Sequence, residues 1–377
     1  MSGENNKILF LDEDTRFPDY LGPWYNHEYI NYYSIQTQSW LLDLEKIAIQ
    51  KESEFDSELQ NWPVGPNHTN KYKESVQSVR KESIEGSFDS SQKYGIYSSE
   101  PPGKKIEPWK VFVLYSIEPD LELDCGLNLN WTQKLTGGSH ALRHMRFKVF
   151  GMKFGESHEA LHHYIQAAKR SFELDNTYWG WRYLSRASHY LADLGHPFHV
   201  NIAPIKEILK MFLNFKDFMK LISATHTTHE AFVLKQFRKN YRPYKSAIQK
   251  GAIEGMHSET IPEEIIDFDS IYDKNIKKEI KKYIRRSANR MQPIHKIMVD
   301  NCGKELTEAY STIYQEEQAD LDLSKRTIIA RKGAIKILNR SLSGKEKERL
   351  NKITESCLFD VGKMFGLMFR LFRSIIL

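Results

Sequence analysis

His189 and Asp193 stand four residues apart in the run Ser188-His189-Tyr190-Leu191-Ala192-Asp193-Leu194-Gly195-His196-Pro197-Phe198-His199. On a helix that spacing sends both side chains off one face. Gly195 and Pro197 then stop the helix, and the turn they make can carry His199 back toward the same region. Further on, His226 and Glu230 repeat the four-residue spacing in His226-Thr227-Thr228-His229-Glu230. Imidazole and carboxylate on the inward faces of helices are what a helix-bundle metal site requires. Nitrogen and oxygen donors without thiolate suit catalytic zinc, which keeps a position open for water. A single His–acid pair often arises by chance and is commonly a surface pair. Two such pairs, a helix-stopping Gly-x-Pro and a further His beyond it make a stronger pattern.

A second pattern competes. His158-Glu159-Ala160-Leu161-His162 matches the HExxH zinc-protease motif, in which two His bind the metal and the Glu is the general base. The pattern fixes only three residues, and 14 His among 49 acids make a chance match easy. No further His follows at a suitable spacing, so a solvated helical face is the preferred reading. Lys277, Lys278, Lys281, Lys282, Arg285 and Arg286 form a basic helical face above a buried side of Ile276, Ile280, Tyr283 and Ile284. It reads first as solvated, and second as a contact for a phosphate backbone or anionic lipid.

The elements that must position these residues are helices. Apolar residues recur at helical spacing over 156–173, where Leu161, Tyr164, Ile165, Ala168 and Phe172 share a face, and over about 178–194 after Asn176. Further helices are expected over about 24–50, 205–222, 226–249, 273–300, 304–318, 322–340 and 345–376, and from Pro108 onward. Little of the chain alternates with period two, and no hairpin is expected. The fold class is therefore all-α, a multi-helix bundle forming a single domain over 1–377. The stretch 52–107 is rich in Ser, Lys, Glu and Gly and reads as a long polar insertion or loop within that domain.

Composition narrows the setting. The chain has 377 residues, 40% hydrophobic, with 20 Phe, 19 Tyr and 7 Trp, enough for a large core. Its 54 basic and 49 acidic residues leave a net charge of +5, too mild to argue for nucleic acid or membrane. The three cysteines, Cys125, Cys302 and Cys357, are far apart. They form no CxxC zinc pair and no disulfide framework, and they fit a reducing compartment. The apolar run Ile8–Leu11 is too short for a secretory signal, so a cytoplasmic setting is expected. The apolar segment from Leu358 to Leu377 is read as a core helix; the other reading is an interfacial helix that would allow peripheral membrane contact.

Taken in order, these motifs resemble the zinc-dependent phospholipase C family, relatives of the single-strand-specific zinc nucleases. That family's hallmark is a helix reading His-Tyr-x-x-Asp, then Gln-Pro-x-His, then a downstream His-x-x-x-Glu. Here they read His189-Tyr190-x-x-Asp193, His196-Pro197-Phe198-His199 and His226-x-x-x-Glu230. His27, in His27-Glu28-Tyr29-Ile30, matches the early His. Asp120, in Ile117-Glu118-Pro119-Asp120, matches the family's Asp, with Asp124 a weaker rival. His144 matches the remaining His, with His140 as the alternative. The matched positions cover 24–35 and 108–235.

The resemblance implies about two to three zinc ions. Asp120, His144, His189 and Asp193 would hold one, and His199, His226 and Glu230 a second. Asp193 would bridge to a third, completed by His27 and, in the family, by an N-terminal Trp. The nearest Trp here is Trp24, which is not terminal. His196 stands where the family has Gln, and the 52–107 insertion is an addition. Three carboxylates against three divalent ions would leave the site cationic and attractive to phosphate. Zinc lowers the pKa of bound water from 15.7 to roughly 7, which supplies a nucleophile for a phosphodiester. The resemblance also offers Asp120 as the base that orients that water. The implied activity is phosphoric ester hydrolysis on a phosphodiester, with phospholipid as the expected substrate. A single-strand nuclease is the alternative. It is weakened because Val200-Asn201-Ile202-Ala203-Pro204, and not Asp-x-Gly-Gly-Asn, follows His199. A non-catalytic protein keeping the fold is the third reading.

Overall fold

The computed structural model describes residues 26–49, 105–117, 119, 144–204, 207–208, 214–311 and 323–377. These residues are mostly helical, in agreement with the all-α class. In chain order the elements are α1 (Asn26–Ile35), α2 (Ser39–Leu42), β1 (Ile47–Ala48), β2 (Lys105–Ile106), α3 (Pro108–Leu114), a 3-10 turn (Tyr115–Ile117), β3 (Phe147–Val149) and β4 (Met152–Phe154). Then follow α4 (Ser157–Glu173), α5 (Thr177–Asp193), α6 (Pro197–Val200), α7 (Phe215–Arg238), α8 (Arg242–Met256), α9 (Phe268–Ile271), a π turn (Tyr272–Ile276), α10 (Lys277–Ser311), α11 (Leu323–Ser341) and α12 (Gly344–Ile376).

Helix α5 lies at the centre. Nearly every residue from Tyr178 to Asp193 is buried, because the helix is apolar or aromatic on most of its circumference. It packs on α4, α3 and the 3-10 turn, with α1 and α12 also against it. Trp181 is fully buried and meets Phe112 and Phe172 edge-on at centroid distances of 6.3 and 5.7 Å. Burying each such side chain contributes roughly 1.5–3 kcal/mol. A helix so enclosed holds His189 and Asp193 on a rigid platform.

The closest helix pair is α8 with α12, and its cause is glycine. A Cβ on Gly251 would stand 2.1 Å from the carbonyl oxygen of Phe359, and one on Gly255 would stand 2.0 Å from that of Lys363. The relation is mutual: Gly362 faces the carbonyl oxygen of Ile248 and Gly366 that of Ala252, each at 2.1 Å. Two Gly-x-x-x-Gly faces therefore bring backbone against backbone. The C-terminal segment is a core helix, its start fixed by a capping box between Ser343 and Glu346. Among the described residues no helix is long and apolar enough to cross a membrane.

Several expected boundaries move. The helix expected over 24–50 ends at Ile35, where Thr37 Oγ1 donates to the Ser34 carbonyl at 2.8 Å and competes with helical bonding. The helices expected over 205–222 and 226–249 divide elsewhere. One helix, α7, runs unbroken from Phe215 to Arg238, since 222–226 holds no Gly or Pro, and the chain turns instead at Asn240, whose φ is +52°. His226 and Glu230 thus lie mid-helix. The break expected between the helices at 273–300 and 304–318 is present as a kink inside α10 at Cys302, whose φ −156° and ψ 18° are not helical.

No hairpin is expected from the sequence, yet β3 and β4 form one, with Phe147 opposite Phe154 and Val149 opposite Met152. Phe150 and Gly151 at its tip both have positive φ, +48° and +84°, the backbone of a tight hairpin turn usually written Asn-Gly. A second ladder pairs β1 with β2. It brings together the two ends of the polar stretch expected at 52–107, of which residues 52–104 lie outside the described residues. On the basic face of α10, Lys277 pairs with Asp273, Lys282 with Glu279, and Arg286 with Asp360.

Candidate metal centre

Asn31 ties three helices at the base of the centre. Its Nδ2 donates to the Phe112 carbonyl at 2.9 Å and to Ser188 Oγ at 2.7 Å, while Ser185 Oγ donates to the same carbonyl at 2.7 Å. Helices α1, α3 and α5 are so fixed in register, and with them His27, the turn at Ser116 and His189. Beyond α5 the chain must bend. A Cβ on Gly195 would stand 2.0 Å from the Tyr283 hydroxyl oxygen, so only glycine fits. Ser287 Oγ donates to the Gly195 carbonyl at 2.6 Å and Tyr283 Oη to the Leu191 carbonyl at 2.9 Å. Pro197 opens α6, and His199 is turned back under Asp193.

The first donor group is His189, Asp193, His144 and His27. His189 Nδ1 lies 2.6 Å from the Ser116 carbonyl oxygen, which can only accept, so Nδ1 carries the hydrogen. In the neutral ring Nε2 then presents a lone pair. It faces Asp193 Oδ2 at 3.2 Å and His144 Nδ1 at 2.9 Å, and His144 Nδ1 is itself 3.0 Å from that carboxylate oxygen. One hydrogen on His144 Nδ1 leaves the His189 and Asp193 lone pairs facing each other. A cation among the three atoms satisfies them all. His27 stacks on His189 with centroids 3.8 Å apart, and its Nε2 is 3.5 Å from Asp193 Oδ1.

The second group is His199, His226, Glu230 and His196, which each offer one atom within 4.8 Å of the others. His199 Nε2 is 3.0 Å from His226 Nε2 and 3.8 Å from Glu230 Oε1. His226 Nε2 also meets Glu230 Oε1 closely. On its other side, His199 Nδ1 is 3.1 Å from Asp193 Oδ1. Asp193 therefore serves both groups, one oxygen toward His189 and His144, the other toward His199. The separations suit a small divalent ion: donors about 2.0–2.1 Å from a tetrahedral zinc stand roughly 3.3–3.4 Å from one another. A cavity of 40 Å³ touches His27, Asp193, His196 and His229.

Charge agrees with geometry. Burial alone would raise the Asp193 carboxyl, but His189, His199 and the bond to His144 outweigh it and hold it well below the usual carboxylate range. Glu230 behaves alike: burial opposes ionisation, while His226 and His199 bring it down to about 2. Burial would lower His199, yet Asp193 and Glu230 carry it up to about 9. Without metal a proton on His199 offsets one of the two carboxylate charges. His27 is lowered to about 4 by burial and by His189, and so stays neutral, as a ligand must.

Of the residues expected at the site, His27, His144, His189, Asp193, His199, His226 and Glu230 converge. Asp120, its rival Asp124, the alternative His140 and Trp24 lie outside the described residues. The sequence reading did not include the Ser116 carbonyl, which orients His189 as outer partners of metal-bound His do, because a backbone carbonyl has no residue signature. Nor did it count His196 as a donor. The HExxH residues gather no third donor among the described residues. His158 and His162 meet edge-on at 5.2 Å, while Glu159 is exposed. Burial and the cations Arg146, Lys277 and Lys281 lower His158 to about 3, a setting that repels a divalent ion. No protein-family model matches the chain, and no curated protein or solved structure matches it.

Proposed function

We propose that this chain is a zinc-dependent phosphoric ester hydrolase of the zinc-dependent phospholipase C type. The observation that carries the reading is the double use of Asp193, whose two oxygens face two His-containing donor groups. Its Oδ2 would bind the first ion while its Oδ1 orients the His199 ligand of the second, and two adjacent divalent ions are an arrangement that phosphodiester cleavage uses. In this reading Asp120, His144, His189 and Asp193 hold one ion and His199, His226 and Glu230 a second, while His27 with Asp193 faces a third. Zinc bound there would supply Lewis acidity and a water ionised near neutral pH.

The protein's own groups do the positioning. Ser116 fixes the His189 tautomer. Asp193 Oδ1 holds His199 Nδ1 at 3.1 Å, with His199 Nε2 toward His226 and Glu230. The buried rings keep water from competing for these donors. Asp120 is assigned, by resemblance alone, as the base that orients the attacking water. The substrate assigned is a phospholipid.

The test is hydrolysis of phosphatidylcholine vesicles and of single-stranded DNA by the zinc-loaded protein. A chelator-treated sample and an Asp120→Asn variant run beside it. Release of the phosphorylated headgroup, abolished by chelation, is expected. DNA cleavage without lipid cleavage would move the assignment to the nuclease branch. Cleavage of neither would overturn it.

A further inference from the structure

The ligand set just given leaves His196 and His229 without a role, although both stand in the same cluster. The His196 ring centroid is 4.8 Å from that of His199, 5.3 Å from His226 and 5.1 Å from His229. A chain of hydrogen bonds runs into this ring from α12. Thr354 is 2% exposed, and its hydroxyl donates to the Leu350 carbonyl at 2.9 Å. The hydroxyl has no second hydrogen, so toward His229 Nε2, 3.2 Å away, its oxygen accepts. His229 Nε2 therefore carries the hydrogen, and the neutral ring offers the Nδ1 lone pair. That lone pair lies 3.0 Å from His196 Nε2, which must donate. The relay ends with the His196 lone pair on Nδ1.

We propose that His196 is a fourth protein donor at the second metal position, through Nδ1, with Thr354 and His229 as the relay that fixes its tautomer. A ring nitrogen of His196 lies within the 4.8 Å already given of the ligand atoms of His199, His226 and Glu230, and the contact with His229 occupies Nε2. The proposal rests on the metal reading above and goes further in dividing the labour. Three His and one Glu fill the four-coordinate shell typical of structural zinc. That position then holds the fold and polarises its neighbour. Water and phosphate are left to the other positions, above all the one that His27 and Asp193 face with only two protein donors. His229 and Thr354 are positioning residues, since they act only through His196.

Cobalt(II) titration of the full-length protein tests this, with visible absorption and zinc competition as readouts. The variants are His196→Ala, His196→Gln, Thr354→Val and, as a control on the metal reading, His226→Ala. Gln at 196 can still donate to His229, so it keeps the local bonding if Ala does not fold. Removing the His196 ring is expected to shift the band of one cobalt equivalent and to weaken zinc at that position at least tenfold. Added imidazole should restore the band in His196→Ala. Breaking the relay with Thr354→Val is expected to weaken zinc roughly tenfold, the usual cost of losing an outer partner, with the circular dichroism spectrum unchanged. Wild-type spectra and affinities in the His196 and Thr354 variants, beside a lost equivalent in His226→Ala, would overturn the proposal and leave the metal reading standing. No lost equivalent in His226→Ala would overturn both.

Discussion

His189 donates from Nδ1 to the Ser116 carbonyl at 2.6 Å, and that bond decides what its other nitrogen can do. Asp193 is similarly decided by its neighbours, which hold it ionised against its burial. Surrounding cations, Arg146 and Lys277 among them, set the His158–His162 pair apart from this centre. Burial and the surrounding cations lower those rings to about 3 and about 4, below the usual 6.5. The folded chain then refuses protons that the unfolded chain takes up. Their contribution to stability is complete above pH 6.5 and is lost as pH falls toward 4 and below. Thermal unfolding followed from pH 7 to pH 4 should show a falling Tm, and a His158→Gln/His162→Gln variant should show a shallower fall. An unchanged slope in the variant would refute the assignment. At this scale the sequence was informative where chemistry depends on residue type and spacing. His189 with Asp193, and His226 with Glu230, could be read because four residues make one helical turn. The sequence left His144 and His140 as alternatives, since both follow Gly137-Gly138 within a few residues; His144 stands beside Asp193, and His140 lies outside the described residues.

Helix α5 matches its expected span within a residue at each end, because Asn176 precedes it and Gly195 with Pro197 follows it. Helix α7 does not, because nothing between 222 and 226 stops a helix and the real stop, Asn240, is a residue of mild preference. The hairpin at Phe147–Phe154 escaped notice because its turn is Phe150-Gly151, with only the second residue suited to positive φ. The α8–α12 contact escaped for another reason: Gly251 and Gly255 lie more than a hundred residues from Gly362 and Gly366, and neither pair announces its partner. Helix propensity alone would make Gly→Ala stabilising by about 0.5–1 kcal/mol. At Gly251 the new methyl meets a backbone oxygen at 2.1 Å, which cannot rotate away. Overpacking costs roughly 1–3 kcal/mol, so the clash wins. Urea unfolding of Gly251→Ala should show a lowered midpoint. Gly333→Ala in α11, where nothing lies within 4 Å, should show a raised one. Equal shifts of the same sign would contradict the close packing.

Three hydrophobic clusters form among the described residues, the third a small group of Ala203, Ile208, Phe218 and Ile222, and the other two carry the site. The larger surrounds α5 and the α8–α12 pair, and the smaller collects Phe198, Phe232, Met291, Ile294 and their neighbours around α10. The metal donors lie at their seam: His189 and Asp193 come from the first, His199 and His226 flank Phe198 of the second. A bound ion would thus join α1, α5, the α6 corner and α7, which is why so many histidines can be buried together. The β1–β2 ladder joins the two ends of the polar stretch. Helical class and the order of the donors could be read in the sequence; the seam could not, because it depends on contacts distant along the chain. The most direct measurement is the metal content of the purified protein by elemental analysis, beside Asp193→Asn and His226→Ala. About two to three zinc ions per chain are expected, falling in both variants, most in Asp193→Asn because that carboxylate serves both groups. No zinc in the wild-type protein, and none taken up when zinc is added, would contradict the zinc assignment.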